Sequence, residues 1–67
     1  MKRLAQERKK KEMSQSDLAF ELRIQPSTLS KIENGRLKPY DPVKNKLENF
    51  FGMEIEELLE DVETEEI

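Results

Sequence analysis

The polar side chains between positions 25 and 34 are the residues whose types and spacing could read another molecule. On a helix over 26–34 the outward positions would be small, polar or basic: Ser27, Thr28, Ser30, Lys31 and Asn34. Such side chains offer hydrogen-bond donors and acceptors to base edges, and small ones let a helix backbone approach a duplex closely. This pattern is typical of the second helix of a helix-turn-helix, which enters the major groove.

Two short amphipathic helices must position these residues. Ser14 and Asp17 form a Ser-x-x-Asp capping box, which predicts a helix over 15–22. Pro26 suits the first turn of the next helix, and Asn34-Gly35 is a typical helix end. The inward positions of both helices are apolar: Leu18, Ala19, Leu22, Ile24, Leu29 and Ile32. We therefore expect a helix-turn-helix over 15–34.

The rest of the chain also predicts helices. Strong helix formers indicate one over 2–12, and an apolar stripe indicates another over 54–62. Asp41, followed by a proline, is a typical N-cap, and Gly52 is a typical helix end. We therefore expect a helix between these two positions. No segment alternates between apolar and polar residues as a strand would. We expect an all-α bundle of about five helices over residues 1–62, followed by an acidic C-terminal tail at 63–67.

Basic and acidic residues are separated along the chain. Residues 1–46 contain all 12 Lys and Arg beside 6 acidic residues, a formal charge of +6. Residues 47–67 contain 9 acidic residues and no basic one, a formal charge of −9. Such asymmetry favours a basic surface facing a polyanion and an acidic tail. Two solvated helix faces of opposite sign are the alternative.

The absence of cysteine and histidine narrows the possible functions. It removes the commonest general base, metal ligand and nucleophile arrangements, so we expect neither an enzyme nor a cofactor. The acidic residues Glu54, Glu57, Glu60 and Asp61 lack a calcium-type loop, and we interpret them as a solvated face rather than a metal site. With no long apolar stretch, we expect no signal peptide, no transmembrane helix and a cytoplasmic location. The initial Met suggests a native start.

The sequence resembles a known family at three places. These are Gln15 after Ser14, the pair Leu18-Ala19, and the run from Leu29 to Gly35 (LSKIENG). Together with the segment that follows, they resemble the lambda-repressor-like (XRE) helix-turn-helix family of phage repressors, Cro proteins and bacterial regulators. The resemblance extends over roughly residues 4–60, far more than a lone motif. It implies a bundle of four or five helices that binds DNA, usually as a dimer on a palindromic operator.

The resemblance also implies roles for individual residues. Base contacts are implied at the head of the recognition helix 26–34 and one turn on: Gln25, Pro26, Ser27, Thr28 and Lys31. Phosphate contacts are implied at Gln15, Asn34, Arg36 and Lys38. Arg8 and Glu33 match an ion pair that holds the first helix against the recognition helix.

Several positions depart from the family pattern. Arg23 stands where the family usually has glycine in the turn, so the turn is expected to differ. Gln25 is a poor cap, and Pro26 replaces a polar base-reading residue; it can offer only an apolar contact, for example to a thymine methyl. Lys44 and Glu48 occupy positions that are commonly apolar, so the local packing there is expected to differ.

Two questions stay open at this level. A dimer patch could be formed by Phe50, Met53, Ile55 and Leu59, although a simple core lid fits the same residues. Phe20 falls off the apolar stripe, so it either packs against the first helix or is exposed to a partner. The favoured function is a sequence-specific regulator of the repressor/Cro kind that binds double-stranded DNA, with no small-molecule ligand. The alternative is a protein-interaction module such as an antitoxin or antirepressor component.

Overall fold

A computed structural model describes residues 1–62 of the chain, and the predicted acidic tail at 63–67 lies outside them. Within the described residues the helices are α1 (Arg3–Lys10), α2 (Gln15–Leu22), α3 (Pro26–Glu33), α4 (Asp41–Phe51) and α5 (Ile55–Leu58). The prediction of an all-α fold is confirmed. None of these helices is long and apolar enough to cross a membrane.

The core is built from the inward faces of all five helices. Helix α2 packs against α3 and α4, while α5 packs against α1 and α4. The buried apolar residues that form one core cluster are Leu4, Leu18, Ala19, Leu22, Leu29, Ile32, Val43, Leu47, Ile55 and Leu58. Each fully buried leucine contributes about 1.5–3 kcal/mol relative to an exposed one. Leu4 is the only large aliphatic side chain that α1 adds, so α1 depends on other contacts to hold its place.

Helices α1 and α5 are shorter than predicted. The prediction of a helix over 2–12 is wrong at its end, because Glu12 takes a left-handed conformation with φ of 58°. There the N–H of Glu12 donates to the Lys9 carbonyl and the N–H of Met13 donates to the Arg8 carbonyl, at 2.9 and 3.2 Å. These two bonds close the helix in a Schellman motif.

The prediction of a helix over 54–62 is wrong because its second half pairs with the start of the chain. Lys2 and Asp61 form an isolated antiparallel bridge, which the sequence pattern did not predict. The N–H of Arg3 donates to the Glu60 carbonyl at 2.8 Å, and that of Val62 donates to the Met1 carbonyl at 2.7 Å. Only one helical turn therefore remains in α5.

Helix α4 begins differently from the prediction and supports α5. Its N-cap is Tyr40, without a side-chain hydrogen bond, while Asp41 lies in the first turn rather than at the cap. One turn before its end, Glu48 is half-buried, and its Oε2 accepts a hydrogen bond from the N–H of Ile55 at 2.8 Å. A carboxylate at this normally apolar position thus satisfies a backbone donor in the first turn of α5.

Candidate nucleic-acid interface

The turn between α2 and α3 is closed by a left-handed arginine. Arg23 has φ of 57° and ψ of 44°. The N–H of Arg23 donates to the Phe20 carbonyl and that of Ile24 donates to the Ala19 carbonyl, at 3.1 and 2.9 Å. This is again a Schellman motif, so arginine takes the conformation that glycine adopts most easily. The turn therefore keeps the shape that a glycine would give it, and the departure from the family pattern appears as backbone strain at Arg23.

The head of α3 presents its side chains to solvent. Gln25, Pro26, Ser27 and Lys31 are exposed, and Thr28 is half-buried. Gln25 is the N-cap but makes no side-chain cap bond. The side chains of Gln25, Ser27 and Lys31 form no hydrogen bond within residues 1–62 and remain available to a ligand.

The opposite side of α3 is held by a buried ion pair. Arg8 donates to Glu33 twice, from Nε to Oε2 at 2.8 Å and from Nη2 to Oε1 at 3.1 Å. The two side chains are only 10% and 4% exposed. A third guanidinium nitrogen, Nη1, donates to the Met13 carbonyl at 2.7 Å. The guanidinium thus connects α1, the segment before α2 and the end of α3, and it neutralises the only acidic residue of α3.

Gln15 takes part in the same cluster. Its Nε2 donates to Oε1 of Glu33 at 3.0 Å, and its side chain is half-buried. No local pattern predicts this contact, because it joins residues 18 positions apart. Glu33 accepts one N–H of the amide, and the second N–H makes no hydrogen bond within residues 1–62.

The other residues predicted to contact phosphates lie in and after the turn that ends α3. Gly35 is left-handed, with φ of 75°. The N–H of Arg36 donates to the Lys31 carbonyl at 2.8 Å and closes the helix. Asn34, Arg36 and Lys38 are all exposed, so the cationic side chains stand free beside the end of α3.

A capping box fixes the N-terminus of α2, where Gln15 is the first helical residue. The Ser14 hydroxyl oxygen accepts from the N–H of Asp17, and Oδ2 of Asp17 accepts from the N–H of Ser14, both at 3.0 Å. The backbone N–H of Ser14, and then its hydroxyl, lower the pKa of Asp17 below the usual 3.8. Asp17 therefore stays ionised near neutral pH, where its charge suits a helix N-terminus.

The residues considered for a dimer patch mostly pack inward. Ile55 is buried in the core, while Phe50, Met53 and Leu59 are half-buried and pack against it. Phe50 and Phe51 meet edge to face, with ring centroids 5.0 Å apart, and both are half-buried. Ile55 therefore has little surface to offer a second copy, whereas Phe50, Met53 and Leu59 keep part of their surface exposed.

Phe20 and Tyr40 are the exposed aromatic residues among 1–62. The Phe20 side chain is 80% exposed, so it does not pack against α1. Tyr40, at the start of α4, is 64% exposed. Within residues 1–62, no three acidic side chains come together in a way that could hold a metal ion.

Comparison with known proteins identifies the family. The helix-turn-helix family model matches residues 4–58, which is most of the chain. Searches of curated proteins and of solved structures returned no significant match. The matched segment contains the capping box, both helices of the motif and the Arg8–Glu33 pair described above. The chain belongs to the lambda-repressor-like (XRE) helix-turn-helix family of DNA-binding regulators.

Proposed function

We propose that this protein is a repressor/Cro-like regulator that binds double-stranded DNA sequence-specifically, with α3 in the major groove. The observation that carries the proposal is the contrast between the two sides of α3. One side is fixed by the buried Arg8–Glu33 pair, while the other presents Gln25, Ser27 and Lys31 without internal hydrogen bonds. A recognition helix needs both a rigid support and free polar groups, because base contacts depend on geometry.

Base preference would come from the head of α3. Gln25, Ser27 and Thr28 would donate to or accept from base edges, and Lys31 would reach an acceptor such as a guanine edge. Pro26 is exposed and would contribute an apolar contact to a thymine methyl. Since Thr28 is half-buried, we place more of the readout on Gln25, Ser27 and Lys31.

Affinity would come from phosphate contacts around α3. Gln15 would use its remaining amide N–H, and Asn34, Arg36 and Lys38 would contact phosphates beyond the end of α3. Each phosphate that a basic side chain neutralises contributes about −0.9 to the slope of log K against log salt. This sequence-independent attraction would bring the protein to DNA, and α3 would select the site.

We further propose that two copies bind a palindromic operator, which would place their recognition helices roughly 34–36 Å apart. The half-buried residues Phe50, Met53 and Leu59 border the core and are the candidate contact between copies. Occupancy of the operator alone is enough for repression.

The direct test is selection of bound sequences from a random duplex pool at moderate salt. An enriched inverted repeat supports a two-fold dimer, and its half-site spacing tests the expected distance. A single enriched half-site supports DNA recognition by a monomer. A folded protein that enriches no sequence would contradict sequence-specific binding.

Paired substitutions test which surface reads the DNA. Lys31→Gln on α3 and Lys46→Gln on α4 each remove one exposed positive charge. We expect Lys31→Gln to weaken binding to the selected site about tenfold or more, and Lys46→Gln to change it little. Ser27→Ala should alter the preferred base at one position. Equal effects of the two lysine variants would argue against recognition through α3.

The alternative is an interaction module in which the same surface serves a protein partner, as in an antitoxin or antirepressor component. The exposed Phe20 keeps this alternative open, because a phenyl ring in solvent is available for protein contact. Phe20→Ser should leave DNA affinity unchanged. The interaction module is the better assignment if two results occur together. The folded wild type enriches no DNA sequence, and Phe20→Ser, although folded, no longer forms a complex with a protein partner.

A further inference from the structure

Lys2 lies where the basic and acidic parts of the chain meet. Its Nζ is 3.1 Å from Oδ1 of Asp61, whose side chain is 81% exposed. Its stem passes the turn after α3, since a Cβ added to Gly35 would lie 3.4 Å from Cε and 3.8 Å from Nζ of Lys2. The ammonium group therefore lies beside Gly35, which is flanked in sequence by two of the proposed phosphate contacts, Asn34 and Arg36.

The backbone fixes this position. Residues 1–3 are paired with residues 60–62 by the hydrogen bonds of the terminal bridge, so Lys2 does not sit on a free arm. Its side chain is only 23% exposed, and its ammonium group reaches Asp61. A cation is thus held next to the turn after α3 and already paired with an internal carboxylate.

We propose that Lys2 is a further phosphate-contacting residue and that Asp61 competes with the DNA phosphate for it. The inference rests on the proposed DNA binding and adds one contact and one internal competitor to it. An ion pair with an exposed partner contributes little to the stability of the fold. Lys2 can therefore exchange Asp61 for a phosphate at a small cost in free energy. Lysine suits such an exchange, because its ammonium group is a compact charge with three rotatable donors.

The competition has a definite signature in a double-mutant cycle. Lys2→Gln should weaken binding to the selected duplex and to an unrelated duplex by the same factor, and reduce the salt slope by about 0.9. Asp61→Asn should tighten binding to both about two- to fivefold at low salt, since it frees Lys2. In the Lys2→Gln background, Asp61→Asn should give almost no gain, because the cation for which it competes is absent.

The experiment is fluorescence anisotropy with both labelled duplexes on the wild type, the two single variants and the double variant. Glu56→Gln is the matched control, since it removes one exposed acidic charge that is in no ion pair within residues 1–62. Lys2→Arg, which keeps the charge, should retain most of the affinity. Thermal unfolding of each variant confirms that the compared proteins are folded.

Three results would overturn the proposal while leaving DNA binding intact. The first is that Lys2→Gln binds DNA as tightly as the wild type. The second is that Asp61→Asn raises the DNA affinity equally in the wild-type and the Lys2→Gln backgrounds. The third is a gain from Glu56→Gln as large as that from Asp61→Asn, which would make the effect one of net charge. If the folded wild type bound neither duplex, the proposed function itself would fail, and the inference with it.

Discussion

Arg8 and Glu33 face each other side-on through two hydrogen bonds, with both side chains almost fully buried. They lie 25 positions apart and join α1 to the last turn of the recognition helix. Because α1 contributes only Leu4 as a large aliphatic side chain, the pair also fixes α1 on the bundle. The pair thus adds a buried polar link to the apolar contacts of Leu29 and Ile32 that hold α3 in the bundle.

The first prediction concerns this pair. Arg8→Met or Glu33→Leu alone should destabilise the fold by about 3–5 kcal/mol, because each leaves the other charge buried and unpaired. The double variant should be much less destabilised than the sum of the two, since no unpaired charge remains. Thermal or urea unfolding measures all three. Additive losses would show that the two residues stabilise the fold independently.

The second prediction concerns the left-handed residues Glu12 and Arg23. Replacing either by glycine should stabilise the protein by about 1 kcal/mol, since glycine adopts positive φ without steric cost. The same change at Lys9 within α1 should destabilise it by about 1 kcal/mol. Urea unfolding of the three variants checks the sign at each position. A loss of stability in Arg23→Gly would show that its side chain contributes more than the strain costs.

The third prediction concerns the capping box of α2. The pKa of Asp17 is lower in the folded protein than its usual 3.8, so its ionised form stabilises the fold above that pH. This contribution is lost as the pH falls through the lower folded-state pKa. Asp17→Asn should therefore melt below the wild type at neutral pH, and the gap should close in acid. Melting curves between about pH 2 and pH 7 measure the gap.

Ser16→Ala is the control for the capping box, because Ser16 is next to Asp17 and outside the box. It should keep the pH profile of the wild type. A constant gap between Asp17→Asn and the wild type across this range would show that the stabilising interaction is not carried by the ionised carboxylate.

The fourth prediction concerns Glu48, which caps the first turn of α5. Glu48→Ala should destabilise the fold by about 1 kcal/mol, because the N–H of Ile55 then lacks its partner. Asn49→Ala, at an exposed neighbouring position of α4, should have little effect. Amide hydrogen exchange at Ile55 should become faster in the first variant alone. Equal exchange in both variants would contradict the capping role.

The helices that follow local rules could be predicted from the sequence. The capping box placed the start of α2, Pro26 placed the start of α3, and Gly52 placed the end of α4. The Arg8–Glu33 contact came from the family resemblance, since nothing in the spacing of the two residues indicates it. Local patterns fix element ends, while pairing between distant residues needs information from the whole fold.

The remaining features are long-range and left no local signal. The apolar stripe of the last helix continues to Val62, which is why the sequence predicts a helix longer than α5. In the structure, residues 60–62 pair with residues 1–3. The partner of Gln15 and the capping by Glu48 depend likewise on neighbours supplied by the fold. Asp41 was misplaced as a cap because an acidic residue before proline also suits the first turn of a helix.

The bridge holds residues 1–3 beside residues 60–62, so the two ends of the described range lie next to each other. The ammonium group of Met1 donates to the Val62 carbonyl at 3.2 Å, so the first and last described residues are neighbours. A purification tag fused to the N-terminus would replace this ammonium group and emerge close to Lys2 and the Gly35 turn. A circular permutation that connects residue 62 to Met1 by a short linker and opens the exposed loop at 36–38 should keep the five helices and their packing in place.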